Sequence, residues 1–360
     1  MALISKIKVL IVDDSAVIRQ TVKLMLQDEP TIEVVGTAMN AKFAIHKIST
    51  LKPDVLILDI QMPEVDGLTF LQRLMKDHPM PVIIFSSYAT EGSNNALKAL
   101  EYGAVEVLEK PLLASPEDIK AYKESLVKAI QSAASARVNR LFPKPQEKIK
   151  ISTPSFEKAE KPAHTPKIIA IGASTGGTEA IRTILEKLPP NTPPIVIVQH
   201  MPPVFTKSFA DRLNTLSRLY VKEAEAGDEI KTGTALIAPG DKHLKIALFN
   251  GKYVAQLDDS APVNRHKPSV DVLFDSVAEV AGANSIGIIL TGMGADGSRG
   301  LLKMKEKGAF TIAQDESTSV VFGMPKVAIK KRAVKLVLPV YDIPEYLIKI
   351  LSLDKENSDT

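Results

Sequence analysis

The sequence predicts an α/β protein built from two doubly wound, mostly parallel-sheet domains, and three observations carry that prediction. Short runs of β-branched and aliphatic residues recur along the chain, alternating with segments whose apolar residues return every three or four positions. Several of these runs are apolar throughout rather than alternating, as strands covered on both faces of a parallel sheet must be. Between the two sets lies residues 137–166, with five prolines, seven Lys/Arg and few large apolar residues, the composition of a flexible linker. The expected division is a first domain over 1–136, the linker 137–166, a second domain over 167–352 and a tail over 353–360.

In the first domain the expected strands are Lys8–Val12, Ile32–Thr37, Val55–Leu58, Val82–Phe85 and Val105–Leu108. Helical patterns follow them at Ala16–Gln27, Asn40–Leu51, Gly67–His78, Ser93–Tyr102 and Pro116–Gln131. Five strand–helix repeats give a (βα)5, flavodoxin-like sheet. The second domain repeats the theme with strands at Ile168–Ile171, Ile195–Val198, Ile286–Leu290 and Phe310–Gln314, and a helix at Glu179–Leu188. A more polar stretch, Gly227–Asp258, reads as strands and turns that interrupt it.

Composition narrows the function. The 360 residues include no cysteine, which removes disulfides, thiol nucleophiles and Cys-ligated metals and is compatible with a reducing, cytoplasmic location. No run approaches the ~18 apolar residues of a membrane span, and the N-terminal apolar run meets Asp13 early, as a first strand does and a signal peptide does not. The net charge of +3 resides in the linker, without aromatic interleaving, so neither nucleic acid nor membrane insertion is expected.

In open α/β sheets ligands bind beyond the carboxyl ends of the strands. In the first domain those ends carry Asp13 and Asp14, then Asp59, then Ser86, then Lys110-Pro111. Crowded carboxylates need a cation, and an oxygen-only set with open positions suits Mg2+. The segment from Lys6 to about Gln131 resembles the receiver domain of two-component response regulators. The resemblance rests on Asp13-Asp14, Asp59-Ile-Gln-Met-Pro-Glu-Val-Asp-Gly67, Ser86 and Lys110-Pro111. It implies that Asp59 accepts phosphate from a sensor histidine kinase. Asp13, Asp14 and Asp59 hold the metal, and Ser86 and Lys110 sense the phosphate. Val107 stands where receivers often carry an aromatic switch residue; stiff and small, it offers no ring to swing.

In the second domain Ser174, His200 and Asp296 each follow a buried strand. Gly172-Ala-Ser174-Thr-Gly176, between strand and helix, has the form of a nucleophile elbow, although Ser174 taken alone reads equally as a helix N-cap. Among six histidines, His46, His78 and His164 read as solvated, and His243 and His266 lie in turn-rich segments. His200 ranks first as base and His266 is the fallback. Ser269 and Asp271 are expected to cap the helix that starts there. Gly292-Met-Gly-Ala-Asp-Gly297 also fits a dinucleotide-binding loop, with Asp315 after the next strand at the spacing of a ribose-binding acid. That reading leaves Ser174 and His200 unexplained and sets Asp296 against a pyrophosphate.

The order Ser, His, Asp differs from that of α/β-hydrolases. The half from about Lys167 to Ile350 instead resembles the protein-glutamate methylesterases/glutamine deamidases of bacterial chemotaxis. The segments that carry this are Ile171-Gly-Ala-Ser-Thr-Gly-Gly177, Gln199-His-Met-Pro202, Phe205-Thr, Ile237-Ala-Pro-Gly-Asp241, Pro268-Ser-Val-Asp271, Leu290-Thr-Gly-Met-Gly-Ala-Asp-Gly297 and Gly323-Met-Pro325. The family implies γ-glutamyl methyl esters and glutamines of methyl-accepting chemoreceptors as substrate, with no cofactor in this half. Ser174 is expected as nucleophile, His200 as base and Asp296 as its orienting acid. The Met293 N–H is the leading oxyanion donor and the Thr175 N–H a weaker one. With the receiver in front, phosphorylation is expected to relieve a block on the esterase. The competing class is a non-enzymatic response regulator whose output half binds a partner or a dinucleotide.

Overall fold

Runs such as Val9–Val12 and Val55–Leu58 are fully buried, so their side chains pack on both faces and the backbone can pair only within a sheet. The computed structural model describes residues 6–63, 66–86, 90–111, 116–138 and 167–352. Most of the expected linker, residues 139–166, and the expected tail, 353–360, lie outside the described residues, as does His164. The chain divides into two compact units, Met1–Phe142 and Pro143–Thr360.

In the first unit five strands, β1 (Ile7–Val12), β2 (Ile32–Ala38), β3 (Val55–Asp59), β4 (Val82–Ser86) and β5 (Glu106–Glu109), form one sheet in the order β2-β1-β3-β4-β5. Every neighbouring pair is parallel. The helices are α1 (Ala16–Leu26), α2 (Ala41–Leu51), α3 (Gly67–Asp77), α4 (Thr90–Glu101) and α5 (Pro116–Ser135). Ser15 and Asn40 cap α1 and α2, their side chains accepting from Ile18 N and Phe43 N. Helix α5 runs one turn past the expected end at Gln131, because Ala133 faces the core and Val138 beyond it is buried too. The order of strands reverses between β1 and β3, so Asp13 and Asp59 flank the crevice this reversal opens.

The second unit has a seven-stranded sheet in the order β14-β13-β12-β6-β7-β9-β8, again with every described pair parallel. Its strands are β6 (Ile168–Ala173), β7 (Ile195–Gln199), β8 (Tyr220–Glu223), β9 (Thr234–Ile237), β12 (Ser285–Ile289), β13 (Phe310–Gln314) and β14 (Leu336–Leu338). Its helices are α6 (Gly177–Leu185), α7 (Pro203–Leu216), α8 (Val270–Val280), α9 (Ser298–Glu306), α10 (Met324–Lys330) and α11 (Ile343–Ile350). The stretch Gly227–Asp258 splits: β9 joins the sheet, while β10 (His243–Phe249) and β11 (Lys252–Asp258) pair antiparallel as a separate hairpin. The hairpin has one apolar face, Leu244, Ile246 and Ala255, buried with Leu273, Phe274 and Val277 of α8. Helix α8 is thus held between hairpin and sheet, with its N-terminus at the carboxyl ends of β6 and β12. The strand order reverses between those two strands.

Candidate functional site

Two clusters of polar side chains lie at strand ends. In the first unit Asp13, Asp59 and Ser86 are almost wholly buried, and Asp14 is exposed. Ser15 N donates to Asp13 Oδ1 at 2.8 Å and Gln61 N to Asp59 Oδ1 at 3.0 Å. The other oxygen of each has Lys110 Nζ nearby, at 3.0 Å from Asp13 Oδ2 and 2.7 Å from Asp59 Oδ2, as ion pairs without aligned hydrogen bonds. Arg19 Nη1 donates to the carbonyls of Asp13 and Asp14, at 2.7 and 2.9 Å, and so fixes the backbone that presents both acids. Burial pushes the Asp59 carboxyl above its ordinary range, against the pull of Lys110. For Lys110 burial works toward losing its proton, but Asp59 and Asp13 outweigh it and hold the ammonium charged.

One carboxylate oxygen from each of Asp13, Asp14 and Asp59 lies within 4.8 Å of the others. All are hard oxygen donors, and two belong to buried carboxylates with under-used oxygens. That donor set fits a divalent cation of the Mg2+ or Ca2+ kind. Val107 is buried on β5 and carries no ring to rotate.

In the second unit the sheet register brings Ser174 and His200 together. Ala173 pairs with Gln199, so the residues after them leave adjacent strand ends, and His200 N donates to Ala173 O at 3.1 Å. Buried Gln199 fastens both, its Nε2 donating to the carbonyls of Ser174 and His200 at 2.9 and 3.1 Å. Ser174 N donates to Thr291 O at 3.0 Å, which fixes the β12–α9 loop on the other side. A Cβ on Gly292 would come within 2.6 Å of Ser174 Cβ, so only glycine lets that loop lie so close. Met293 follows, half-buried, and its N–H has no hydrogen-bond partner among the described residues. Thr175 is buried, and its carbonyl accepts from Thr291 Oγ1 at 2.9 Å.

His200 Nε2 and Asp296 Oδ2 are 2.8 Å apart. His200 Nδ1 is buried without a hydrogen-bond partner, so Ser174 Oγ does not bond to the ring in this state; such contacts often tighten only with substrate bound. Asp296 is the most heavily engaged carboxylate of the unit. Its Oδ1 accepts from Asn264 Nδ2 (2.7 Å), Ser269 Oγ (2.8 Å) and Asp271 N (3.3 Å), and its Oδ2 also accepts from Val270 N (2.7 Å). Burial works to raise its pKa. The bonds from His200, Asn264 and Ser269, with the attraction of His200, win and hold it well below the usual carboxylate range.

Several expectations about this region change. Ser269 occupies the N-cap position of α8, but neither it nor Asp271 caps the helix with its side chain. Asp296 does so from another segment, because its carboxylate meets the first free N–H groups of α8, where the helix dipole favours negative charge. Asp271 in turn accepts from Gly300 N of α9 at 2.7 Å. Asp296 therefore caps the helix that holds Asp271, and Asp271 the helix that follows Asp296. Ser174 is not an N-cap: Gly176, with φ of 77°, holds that position on α6, and Gly177 N donates to Ser174 O. His243 is not in a turn but opens β10, fully buried, accepting from Ser269 N at Nδ1 and bonding Ala261 O through Nε2. His266 does not substitute for His200 but lies flat on it, ring centroids 3.8 Å apart and planes 6° from parallel. Asp315 is taken up locally, accepting from Thr318 N and from the hydroxyls of Ser317 and Thr318. Both of its carboxylate oxygens are engaged within its own turn. His46 and His78 are exposed, as expected. The sequence reading missed Asn264, Gln199 and Arg19. Only the Gln199-His motif hinted at any of them: Asn264 reaches Asp296 across 32 positions, and Arg19 bonds backbone carbonyls, which no side-chain pattern marks.

Known proteins resemble both units. A family model for the response regulator receiver domain matches residues 9–123, and one for CheB methylesterase matches 169–347. The chain is 49% identical over 349 residues to protein-glutamate methylesterase/protein-glutamine glutaminase 2 of Cupriavidus pinatubonensis, covering 97% of each. It is 47% identical over 348 residues to the protein of that name from Salmonella typhimurium, covering 97% of this chain and 98% of the relative. The crystal structure of the Thermotoga maritima CheB methylesterase catalytic domain matches with 49% identity and a TM-score of 0.51, over 52% of this chain and all of that one. Sequence, sheet order and both clusters thus point the same way, and the chain belongs to the protein-glutamate methylesterase/protein-glutamine glutaminase family, with a receiver domain ahead of the catalytic one.

Proposed function

We infer that this protein hydrolyses γ-glutamyl methyl esters, and deamidates glutamines, on chemoreceptors, and that phosphorylation of its receiver controls the rate. The observation that carries the reading is the His200–Asp296 contact at the end of the strand beside Ser174. Asp296 is ionised, so His200 carries its proton on Nε2 and keeps a lone pair on buried Nδ1. Ser174 Oγ attacks the ester carbonyl while Nδ1 takes its proton. The Asp296 carboxylate stabilises the imidazolium that results. The Met293 N–H, beside Ser174 and without a partner among the described residues, receives the negative charge that develops on the carbonyl oxygen. His200 then protonates the leaving methoxide, or the amine of an amide, and methanol or ammonia departs. Water, deprotonated by His200, resolves the Ser174 ester and restores the starting state.

In the receiver Asp59 takes the phosphoryl group from a sensor histidine kinase, while Lys110 and Ser86 stand beside it to meet the phosphate. Mg2+ held by Asp13, Asp14 and Asp59 would neutralise the charge the phosphoryl group brings. Arg19 holds the two carbonyls of Asp13 and Asp14, and Asp59 and Asp13 favour the charged form of Lys110. The linker 137–166 joins the two domains, and the reading places the enzyme in the cytoplasm, where the methylated receptor helices lie.

The decisive assay is methanol release from methylated receptor membranes by wild type and by Ser174→Ala, each with and without Mg2+ and a small phosphodonor. Wild-type release that rises with phosphodonor and disappears in the variant is expected. Release indifferent to Ser174 would remove the acyl-enzyme mechanism. No release under any condition would return the output domain to partner binding.

A further inference from the structure

One short turn reaches both members of the His200–Asp296 pair. Val263 and His266 exchange backbone hydrogen bonds of 3.1 and 2.9 Å, closing a two-residue turn whose centre is Asn264-Arg265. Both central residues have φ in the left-handed region, 53° and 64°, and neither is glycine. Such conformations persist only where the surroundings hold them, and they gather at functional sites. Here the surroundings are specific. Fully buried His243 ties the segment at both ends, through Ala261 O and Ser269 N. Asn264 Nδ2 then reaches inward to Asp271 Oδ2 (2.8 Å) and Asp296 Oδ1 (2.7 Å), the two carboxylates that cap each other's helices.

The second arm of the turn is His266. A ring held by a single hydrogen bond at one nitrogen, as His200 is at Nε2, can still tilt about that bond. A second flat ring 3.8 Å away removes the tilt. The same geometry excludes His266 as a relay: hydrogen bonds to imidazole nitrogens lie in the ring plane, and two rings within 6° of parallel cannot share a proton face to face.

We propose that Asn264 and His266 are positioning residues of the esterase, the amide fixing Asp296 against Asp271 and the stacked ring fixing the plane of His200, so that Nδ1 stays aimed at Ser174. The proposal rests on the Ser174–His200–Asp296 reading. Neither side chain gives or takes a proton in the reaction, so losing one should lower kcat and spare KM, because misplacing a base harms the transition state more than binding.

The test uses the full-length protein with Mg2+ and phosphodonor on methylated receptor membranes, comparing wild type with Asn264→Ala, His266→Ala and His266→Phe. Asn264→Ala and His266→Ala are expected to lower kcat about tenfold with KM within about twofold. His266→Phe, which keeps a flat ring and no titratable nitrogen, is expected to recover most of the loss. The proton in the His200–Asp296 hydrogen bond gives a downfield NMR signal, expected to shift or broaden in both alanine variants. The proposal falls for His266 if Phe is as poor as Ala. It falls for Asn264 if its alanine variant keeps wild-type kcat and an unmoved signal. Should His266→Ala not fold, His266→Leu, which fills space without a plane, takes its place against Phe. A wild type that releases no methanol would sink the esterase reading alone, since the NMR signal still decides whether the turn positions the pair.

Discussion

Gln199 shows how much of the site is held by single side chains that do no chemistry. It is buried, and its amide spans the two carbonyls that follow adjacent strands. Gln199→Leu keeps the volume but leaves the His200 carbonyl without its donor, while Ser174 O keeps only Gly177 N, and an unpaired buried carbonyl costs about 1–3 kcal/mol. Urea denaturation should show a loss in that range, together with a fall in kcat as Ser174 and His200 lose their common tie. Gly292→Ala tests the approach of the Met293 loop. A Cβ there meets Ser174 Cβ at 2.6 Å, so the loop must retreat, and the expected loss is about 10²-fold in kcat if the oxyanion donor moves with it. Asp296 sets a pH dependence. Its carboxyl lies below the ordinary 3.8 when folded, so the stability it lends is complete above that pH and drains away as pH falls toward the folded value. Urea midpoints measured from pH 5 downward should fall more steeply for wild type than for Asp296→Asn, whose amide cannot titrate.

Among the elements, strands were far more legible than the contacts that make a site of them. Ile195–Gln199 and Ile286–Ile289 declare themselves because a strand buried on both faces tolerates little but β-branched and aliphatic side chains. Their carboxyl-end residues followed from the general rule for such sheets, which is how Ser174, His200 and Asp296 stood out before any geometry was known. The crossed capping of α8 and α9 was not legible. Val270 N and Asp296 are 26 positions apart in sequence, and local capping rules naturally assign the start of α8 to Ser269 or Asp271. The left-handed pair Asn264-Arg265 hid for a related reason, as neither residue demands that conformation alone. Likewise the last turn of α5, rich in Ala and Ser, resembles linker composition until its burial is seen. The capping can be tested at the element it serves. Asp271→Ala leaves Gly300 N without an acceptor and takes from the Asn264 amide one of its two, and a loss of about 1–3 kcal/mol is expected in thermal or urea unfolding of the second unit. Asp271→Asn, which keeps one carbonyl oxygen for Gly300 N, should lose less.

At the scale of the whole molecule, two parallel sheets place two kinds of chemistry at the same structural address, the carboxyl ends beside a reversal of strand order. The first is built for a phosphoryl group and a cation, the second for an ester. Coupling between them predicts that Asp59→Asn abolishes the rise in methanol release caused by phosphodonor while leaving the unstimulated rate in place. Deleting residues 1–136 should raise the unstimulated rate if the receiver restrains the esterase, and a rate unchanged or lower would exclude restraint. The exchange of caps between Asp271 and Asp296 has one more implication, for how such an enzyme can change over time. In the proposed mechanism the acid that orients the base is also a fastening for a neighbouring helix, so a lineage that abandoned the chemistry would still be under pressure to keep an acid there. A descendant with Ser174 replaced but Asp271 and Asp296 intact is the expected form of a retired esterase, inert yet fully folded.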